Sequence, residues 1–262
     1  VAAAGIEPVV STPALRITLV DRILHITFDR PQKKNAFNRA GWLELRDAFA
    51  RARADDAVSV IVLSGAGADF SAGVDLTDFS GDPNERPPFE QMMDELCALD
   101  KPLLAAAKGV AVGFGATALF HCDVVHVGES LRLRLPFVSL GLVPEAASSY
   151  LLQAIVGSRR AAEIFYTAEW LDASRALEVG IATRIFPDGV LVESTLEKAA
   201  EVAQWPMRAL RATKRCLKEA HREAIAAARR VEMDGMRQQA GSPENVEAIT
   251  AFLEKRKPRW PA

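Results

Sequence analysis

Two short stretches of this chain carry residues whose types and spacing could do chemistry. The first spans residues 61–79, IVLSGAGADFSAGVDLTDF, where an apolar run breaks into small residues and then recovers. Gly65, Gly67 and Gly73 allow unusual dihedrals and close approach, and Ser71 and Ala72 add little bulk, so peptide N–H groups can press against a ligand. Backbone donors placed this way stabilise negative charge developing on oxygen, which an acyl compound needs when it becomes an enolate or a tetrahedral adduct. The second stretch is Leu142-Val143-Pro144-Glu145-Ala146-Ala147-Ser148-Ser149-Tyr150. A carboxylate here could move a proton, and neighbours such as Val143 and Phe137 would raise its pKa if they enclose it. The same spacing fits a first-turn residue that follows a proline into an Ala-rich helix, and spacing alone favours that plainer reading.

Other chemistries find less support. His25, His121, His126 and His221 have no paired ligand at metal spacing and read as core or capping residues. No serine sits in a GxSxG turn, so Ser148 and Ser149 are expected to pack or cap beside Glu145. Cys97, Cys122 and Cys216 form an odd set without CxxC spacing, read as reduced core thiols of a reducing, cytoplasmic compartment. A net charge of −2 argues against nucleic acid or an anionic membrane as a partner recognised by bulk charge. Residues 1–13 lack the basic start and long apolar stretch of a secretory signal and read as a loose tail. Residues 103–120 are almost wholly apolar, but Lys108, three glycines and the flanking Asp100, Lys101 and Asp123 make them a buried strand, turn and helix rather than a membrane span.

The elements that must hold these stretches alternate in kind. With 262 residues, 49% of them apolar, the chain can bury a large α/β core. Residues 15–20 and 23–28 suggest a hairpin across Asp21-Arg22, and Asn38 could cap a helix whose apolar side is Trp42, Leu45, Phe49 and Ala52. A buried strand at 58–63, a helix at 89–99, a strand at 103–107, a Gly-rich turn at 109–115 opening a short helix, and a strand at 124–127 follow. From residue 146 the pattern is helical, at 146–156, 159–167, 172–179, 191–204, 207–219, 221–239 and 243–254, interrupted by strand character only at 183–186. Pro187-Asp188-Gly189 marks a boundary, giving a tail at 1–13, a core at 14–189 and a helical region at 190–262.

Taken in order, Asp29-Arg30-Pro31, Asn35-Ala36-Phe37-Asn38, SGAGADFSAGVDL at 64–76, KGVAVGFGATALFHCD at 108–123, LGLVPEAASSYLL at 140–152, GIATRIFPDG at 180–189 and AFLEKRKP at 251–258 resemble the enoyl-CoA hydratase/isomerase (crotonase) superfamily. The resemblance implies an α/β spiral of ββα repeats with a helical C-terminal trimerisation region, assembled as homotrimers or dimers of trimers. It also implies acyl-CoA thioester substrates with no metal or redox cofactor, coenzyme A being part of the substrate.

Roles carried over on the matching positions give a concrete site. The thioester oxygen would accept from the N–H groups of Ala72 and Phe114, and Gly113 would open the short helix behind the second of these. The two glutamates of a hydratase fall here on Thr117 and Phe137, neither of which exchanges a proton as a carboxylate does. Gly113, Thr117 and Phe137 are carried over as substrate-binding positions. Glu145 matches the Pro-Glu of the Δ3,Δ2-enoyl-CoA isomerases, where that glutamate is the base. Lys33, Lys34 and Ala36 would meet the coenzyme, Gly73, Val74, Asp75 and Leu76 would complete the cleft, and Lys255 and Lys257, beside Arg256, would reach CoA phosphates or form a solvated helix end. Asp75 fits a turn or cap residue better than a second acid. The expected reaction is the shift of a 3-enoyl-CoA to a 2-enoyl-CoA. Single-carboxylate hydration, thioesterase or lyase chemistry and a silent acyl-CoA-binding trimer are the alternatives.

Overall fold

The computed structural model describes residues 8–11, 13–76 and 85–260; Thr77 to Phe79 of the Gly-rich stretch, most of the expected tail and the last two residues lie outside them. Residues 8–11 correct the reading of that tail. Strand β1 (Pro8–Ser11) pairs antiparallel with β2 (Leu15–Val20), whose outer edge would otherwise carry unpaired peptide groups. Strand β3 (Ile23–Phe28) completes the expected hairpin, and Asp21 and Arg22 turn it with φ of 47° and 69°.

Asn38 caps α1 (Arg39–Ala54) by accepting from the Gly41 N–H at 2.9 Å, and Trp42, Leu45, Phe49 and Ala52 are its buried side. The other end of α1 is closed by the fully buried Lys101, whose Nζ donates to the Ala52 and Asp55 carbonyls at 2.6 Å each. The chain then runs through β4 (Val60–Gly65), α2 (Pro88–Ala98), β5 (Leu103–Ala107), β6 (Val110–Val112), the one-turn helix α3 (Phe114–Thr117) and a 3-10 turn at Ala118–His121. Strands β7 (Val124–Gly128) and β8 (Arg132–Arg134) come next, followed by α4 (Ser148–Val156), α5 (Ser158–Thr167), β9 (Trp170–Asp172), α6 (Ala173–Glu178) and β10 (Arg184–Phe186). The C-terminal helices are α7 (Leu191–Ala203), α8 (Met207–Glu219), α9 (Arg222–Gln239) and α10 (Pro243–Leu253). None of the helices among the described residues is long and apolar enough to cross a membrane.

Two sheets result, in the order β1-β2-β3-β4-β5-β7-β10 and β6-β8-β9. After β4, β5 and β7 the chain leaves the large sheet and makes a short pairing in a second layer. Those pairings are the bridge Ser71↔Ala111, then β6 against β8, then β8 against β9. This is the spiral of the crotonase fold, and each crossing between layers exposes a turn at the same end. In β4, Val60 and Val62 face α7 while Ile61 and Leu63 face the main core. Both faces are covered, so the sequence shows a continuous apolar run rather than an alternation.

Four expectations change. The helix read from 146 starts at Ser148, because Ala146 and Ala147 sit at φ of 59° and 58°, outside helical space. Strand character in the second half is not confined to 183–186: β9 pairs with β8, and at three residues each neither is long enough to show a period. Helix α7, assigned to the helical C-terminal region, packs Ala199 and Ala203 on Ile23, Val60, Val62 and Leu104 and so covers the sheet. Among the thiols, Cys97 and Cys122 are half-buried, but Cys216 is exposed on α8 and is not a core residue.

Candidate active site

The Gly-rich stretch and the turn after β5 close on each other. Ser71 donates its N–H to the Val110 carbonyl at 3.0 Å and accepts from the Val112 N–H at 2.9 Å. On its other side the loop pairs with residue 37, the Phe37 N–H reaching the Gly73 carbonyl at 2.7 Å and the Asp75 N–H reaching the Phe37 carbonyl at 2.8 Å. Asn35 fixes the entry to the loop by donating to the Ala66 and Asp69 carbonyls. Gly73 is required twice over, since its φ is +82° and a Cβ there would stand 2.6 Å from the Val112 carbonyl oxygen and 3.2 Å from the Phe114 nitrogen.

This zipper decides which peptide donors remain. The Ala72 N–H, expected to bind the substrate oxygen, donates to the Lys34 carbonyl at 2.9 Å, and the Gly73 N–H goes to Ser71 Oγ at 3.1 Å. The Val74 N–H is the next in line, and its residue makes its pairing with Phe37 through the groups on either side, so it has no acceptor among the described residues. The Phe114 N–H, at the first position of α3, likewise has no intrahelical acceptor. The Ala72 N–H expected to bind the substrate oxygen is therefore already spent, while the Val74 and Phe114 N–H groups are left without an acceptor among the described residues. The Phe114 ring is buried against Phe37, Trp42 and Phe89 at centroid distances of 5.5, 4.8 and 5.8 Å.

Glu145 lies in the loop before α4, not in its first turn, which removes the plainer reading of this residue. It lines a cavity of about 420 Å³ together with Val74, Trp42, Phe89, Met233 and Met236. Its carboxyl has no hydrogen-bonding partner among the described residues. Burial first, then the neighbouring Glu232 and Glu90, push it up to about 8, so it holds or releases a proton in the neutral range.

The remaining expected positions divide. Leu76 is half-buried at the end of the described loop, and Gly113, at φ +55°, forms the turn behind Phe114. Asp75 is buried and paired with Arg30 at 3.0 Å, which makes it a brace of the loop rather than a substrate contact. The backbone contact expected at Ala36 is used internally, its N–H on the Lys33 carbonyl and its carbonyl on Arg30 at 2.6 Å. Thr117 and Phe137 are both buried, Thr117 directed back to the Phe114 carbonyl and Phe137 packed near Phe165, and, like Phe114, they are not part of the cavity wall. Lys33, Lys34, Lys255 and Lys257 are exposed and outside the cavity wall, with Lys34 3.8 Å from Asp69.

Several residues of the cavity wall and of the layer behind it were missed. Glu90 opens α2 and is held by Arg229 of α9 at 2.7 Å, and Arg229 also reaches Asp94 at 3.0 Å. Glu232, buried on α9, accepts from the Ala147 and Ser149 N–H groups at 2.7 and 2.8 Å. Arg229, Glu232, Met233, Met236 and Ala240 recur at helical spacing, a stripe visible in the sequence that does not reveal what it faces. His121 donates Nε2–H to the Ala146 carbonyl at 2.7 Å, burial holding the ring neutral with a pKa near 4. Among the described residues no group of His, Cys, Asp and Glu is placed to hold a metal ion.

This arrangement, one proton-active carboxyl in a cavity lined by Val74 with its unspent peptide N–H, at the layer crossings of a spiral fold, is that of an acyl-CoA-metabolising crotonase. The family model described as enoyl-CoA hydratase/isomerase matches residues 19–262, and the chain belongs to that family. It is 32% identical over 249 residues to the 2,3-dehydroadipyl-CoA hydratase of Escherichia coli (strain K12), spanning 93% of this chain and 97% of that protein. It is 31% identical over 251 residues to enoyl-CoA delta isomerase 2 of Homo sapiens, spanning 92% of this chain and 64% of that one. Among solved structures, the enoyl-CoA hydratase/isomerase from Pseudoalteromonas atlantica T6c matches with a TM-score of 0.91 at 36% identity, covering 95% of this chain and all of that one. Hydratase and isomerase names stand side by side among these relatives, so the choice of reaction rests on the residues of this chain.

Proposed function

We propose that the protein shifts the double bond of a 3-enoyl-CoA to the 2-position. Glu145 removes a C2 proton, the N–H groups of Val74 and Phe114 hold the thioester oxygen as the dienolate forms, and Glu145 returns the proton to C4. Atoms and charge balance with a single carboxyl, and the steps call for no metal or redox cofactor. The observation that carries this reading is the isolation of Glu145. Of the three cavity carboxyls, Glu90 is tied to Arg229 and Glu232 to two peptide N–H groups, which leaves Glu145 able to exchange a proton. Two-glutamate hydration has no support at Thr117 or Phe137, both buried in the core. The exposed Lys33, Lys34, Lys255 and Lys257 are suited to the phosphates of the coenzyme. A homotrimer, alone or paired, is part of this reading, and exposed Trp205 and Leu217 on the C-terminal helical region are apolar surface that an interface between copies would cover.

The pH dependence tests this reading. A base must be ionised to act, and Glu145 is pushed up to about 8. The kcat/KM for 3-enoyl-CoA is therefore expected to rise about tenfold per pH unit below that point and level off above it. A flat profile between pH 6 and 9 would remove Glu145 as the base.

A further inference from the structure

The loop that carries Glu145 is held in an unfavourable backbone shape by a residue far away in the sequence. Ala146 and Ala147 both adopt left-handed φ, 59° and 58°, a region alanine avoids and two adjacent alanines avoid more strongly. Strain of this kind persists only where the surroundings over-determine it. Here the Ala147 N–H donates to Glu232 Oε2 at 2.7 Å and the Ser149 N–H to Oε1 at 2.8 Å, so both oxygens of one carboxyl are occupied. The Ala146 carbonyl accepts from His121, and the Ser148 N–H returns to the carbonyl of Glu145 itself at 2.9 Å. Helix α9 presses on the same loop one turn further on, where a Cβ at Gly235 would stand 3.1 Å from Val143.

We propose that Glu232 is the positioning residue of this site: its carboxylate clamps the Ala147 and Ser149 N–H groups and so holds the left-handed turn that directs Glu145 into the cavity. This rests on the reading of Glu145 as the proton carrier. Glu232 acts through a second route as well, as a neighbouring negative charge that helps keep the proton on Glu145. The other charged or titratable groups around the pair are Glu90 and Asp94 of α2, Arg229 and Arg237 of α9, and the neutral His121. Of these, Glu90 also raises Glu145, while Arg229 is shared between Glu90 and Asp94. Burial pushes Glu232 itself up, and its N–H donors and the Ser149 hydroxyl oppose that by favouring the ionised form.

The test is Glu232→Gln in the full chain, assayed on 3-enoyl-CoA across pH. Gln keeps the size but loses the charge and one of the two acceptors. Misplacement of the base is expected to lower kcat by roughly 10- to 100-fold with little change in KM. The break in the kcat/KM profile is expected to move below 8, and the pH at which the fall in Tm levels off is expected to move down with it, a readout independent of turnover. Adding Ala147→Gly, which takes a left-handed φ freely, should recover part of the lost kcat and guards against a variant that folds poorly. An unchanged kcat, or a lowered kcat with the break and the Tm profile where the parent has them, overturns the proposal. If Glu145→Gln is also fully active, the failure lies in the reading of Glu145; if Glu145→Gln is inactive and Glu232→Gln is not, it lies with Glu232 alone.

Discussion

Glu145→Gln is expected to turn over 3-enoyl-CoA about 10²–10⁴ times more slowly than the parent chain, the contribution typical of a positioned general base. The amide fills the same space but cannot take the C2 proton, so KM should change little while kcat collapses. The same substitution should stabilise the fold at high pH. The folded-state pKa of Glu145 lies above its usual 4.5, so ionising it costs stability progressively as pH rises from about 4.5 to 8. Gln removes that cost. Its Tm is expected to exceed the parent's by about 2–4 °C or more at pH 9, with the gap closing towards pH 5. Lower activity paired with higher stability separates a catalytic carboxyl from a helix-capping one, whose loss would lower both.

Gly73→Ala attacks the other half of the site. The new Cβ would meet the Val112 carbonyl oxygen at 2.6 Å, and the backbone would hold alanine at φ +82°. The strained φ alone costs about 1–2 kcal/mol. The clash can be relieved only by parting the loop from the turn at Val112 and Phe114, which pulls the Val74 and Phe114 N–H groups out of alignment. A displaced oxyanion donor is worth roughly 10²–10³ in rate. Purified Gly73→Ala is expected to show a lowered thermal midpoint and a kcat reduced by that factor; a folded variant with parental kcat would show that these peptides do not hold the reacting oxygen.

Much of the frame was legible because it follows from local pattern. The hairpin at Leu15–Val20 and Ile23–Phe28, the strand Leu103–Ala107 and the helix Met207–Glu219 lie where alternation, apolar runs and helical spacing put them. The motifs at 64–76 and 108–123 fall on two turns that the structure brings into contact through Ser71 and residues 110–112. What was not legible depends on contacts between distant segments. Which of three consecutive peptides, Ala72, Gly73 or Val74, keeps a free N–H depends on Lys34 and on the Ser71 hydroxyl, and residue spacing does not report those partners. An Ala-Ala pair gives no hint of left-handed φ, so the start of α4, and with it the position of Glu145, depends on Glu232 more than eighty residues away. Thr117 and Phe137, the positions on which the resemblance lets the two glutamates of a hydratase fall, are buried in this chain.

The fate of one hydrogen tests proton transfer by Glu145 most directly. A 3-enoyl-CoA carrying deuterium at C2 should be incubated with the purified protein and the product analysed by mass spectrometry and NMR. The expected product is the 2-enoyl-CoA isomer, with no water added and part of the label found at C4, since one carboxyl carries the proton from one carbon to the other. A 3-hydroxyacyl-CoA as the primary product, or a double-bond shift that persists at the parental rate in Glu145→Gln, would contradict it.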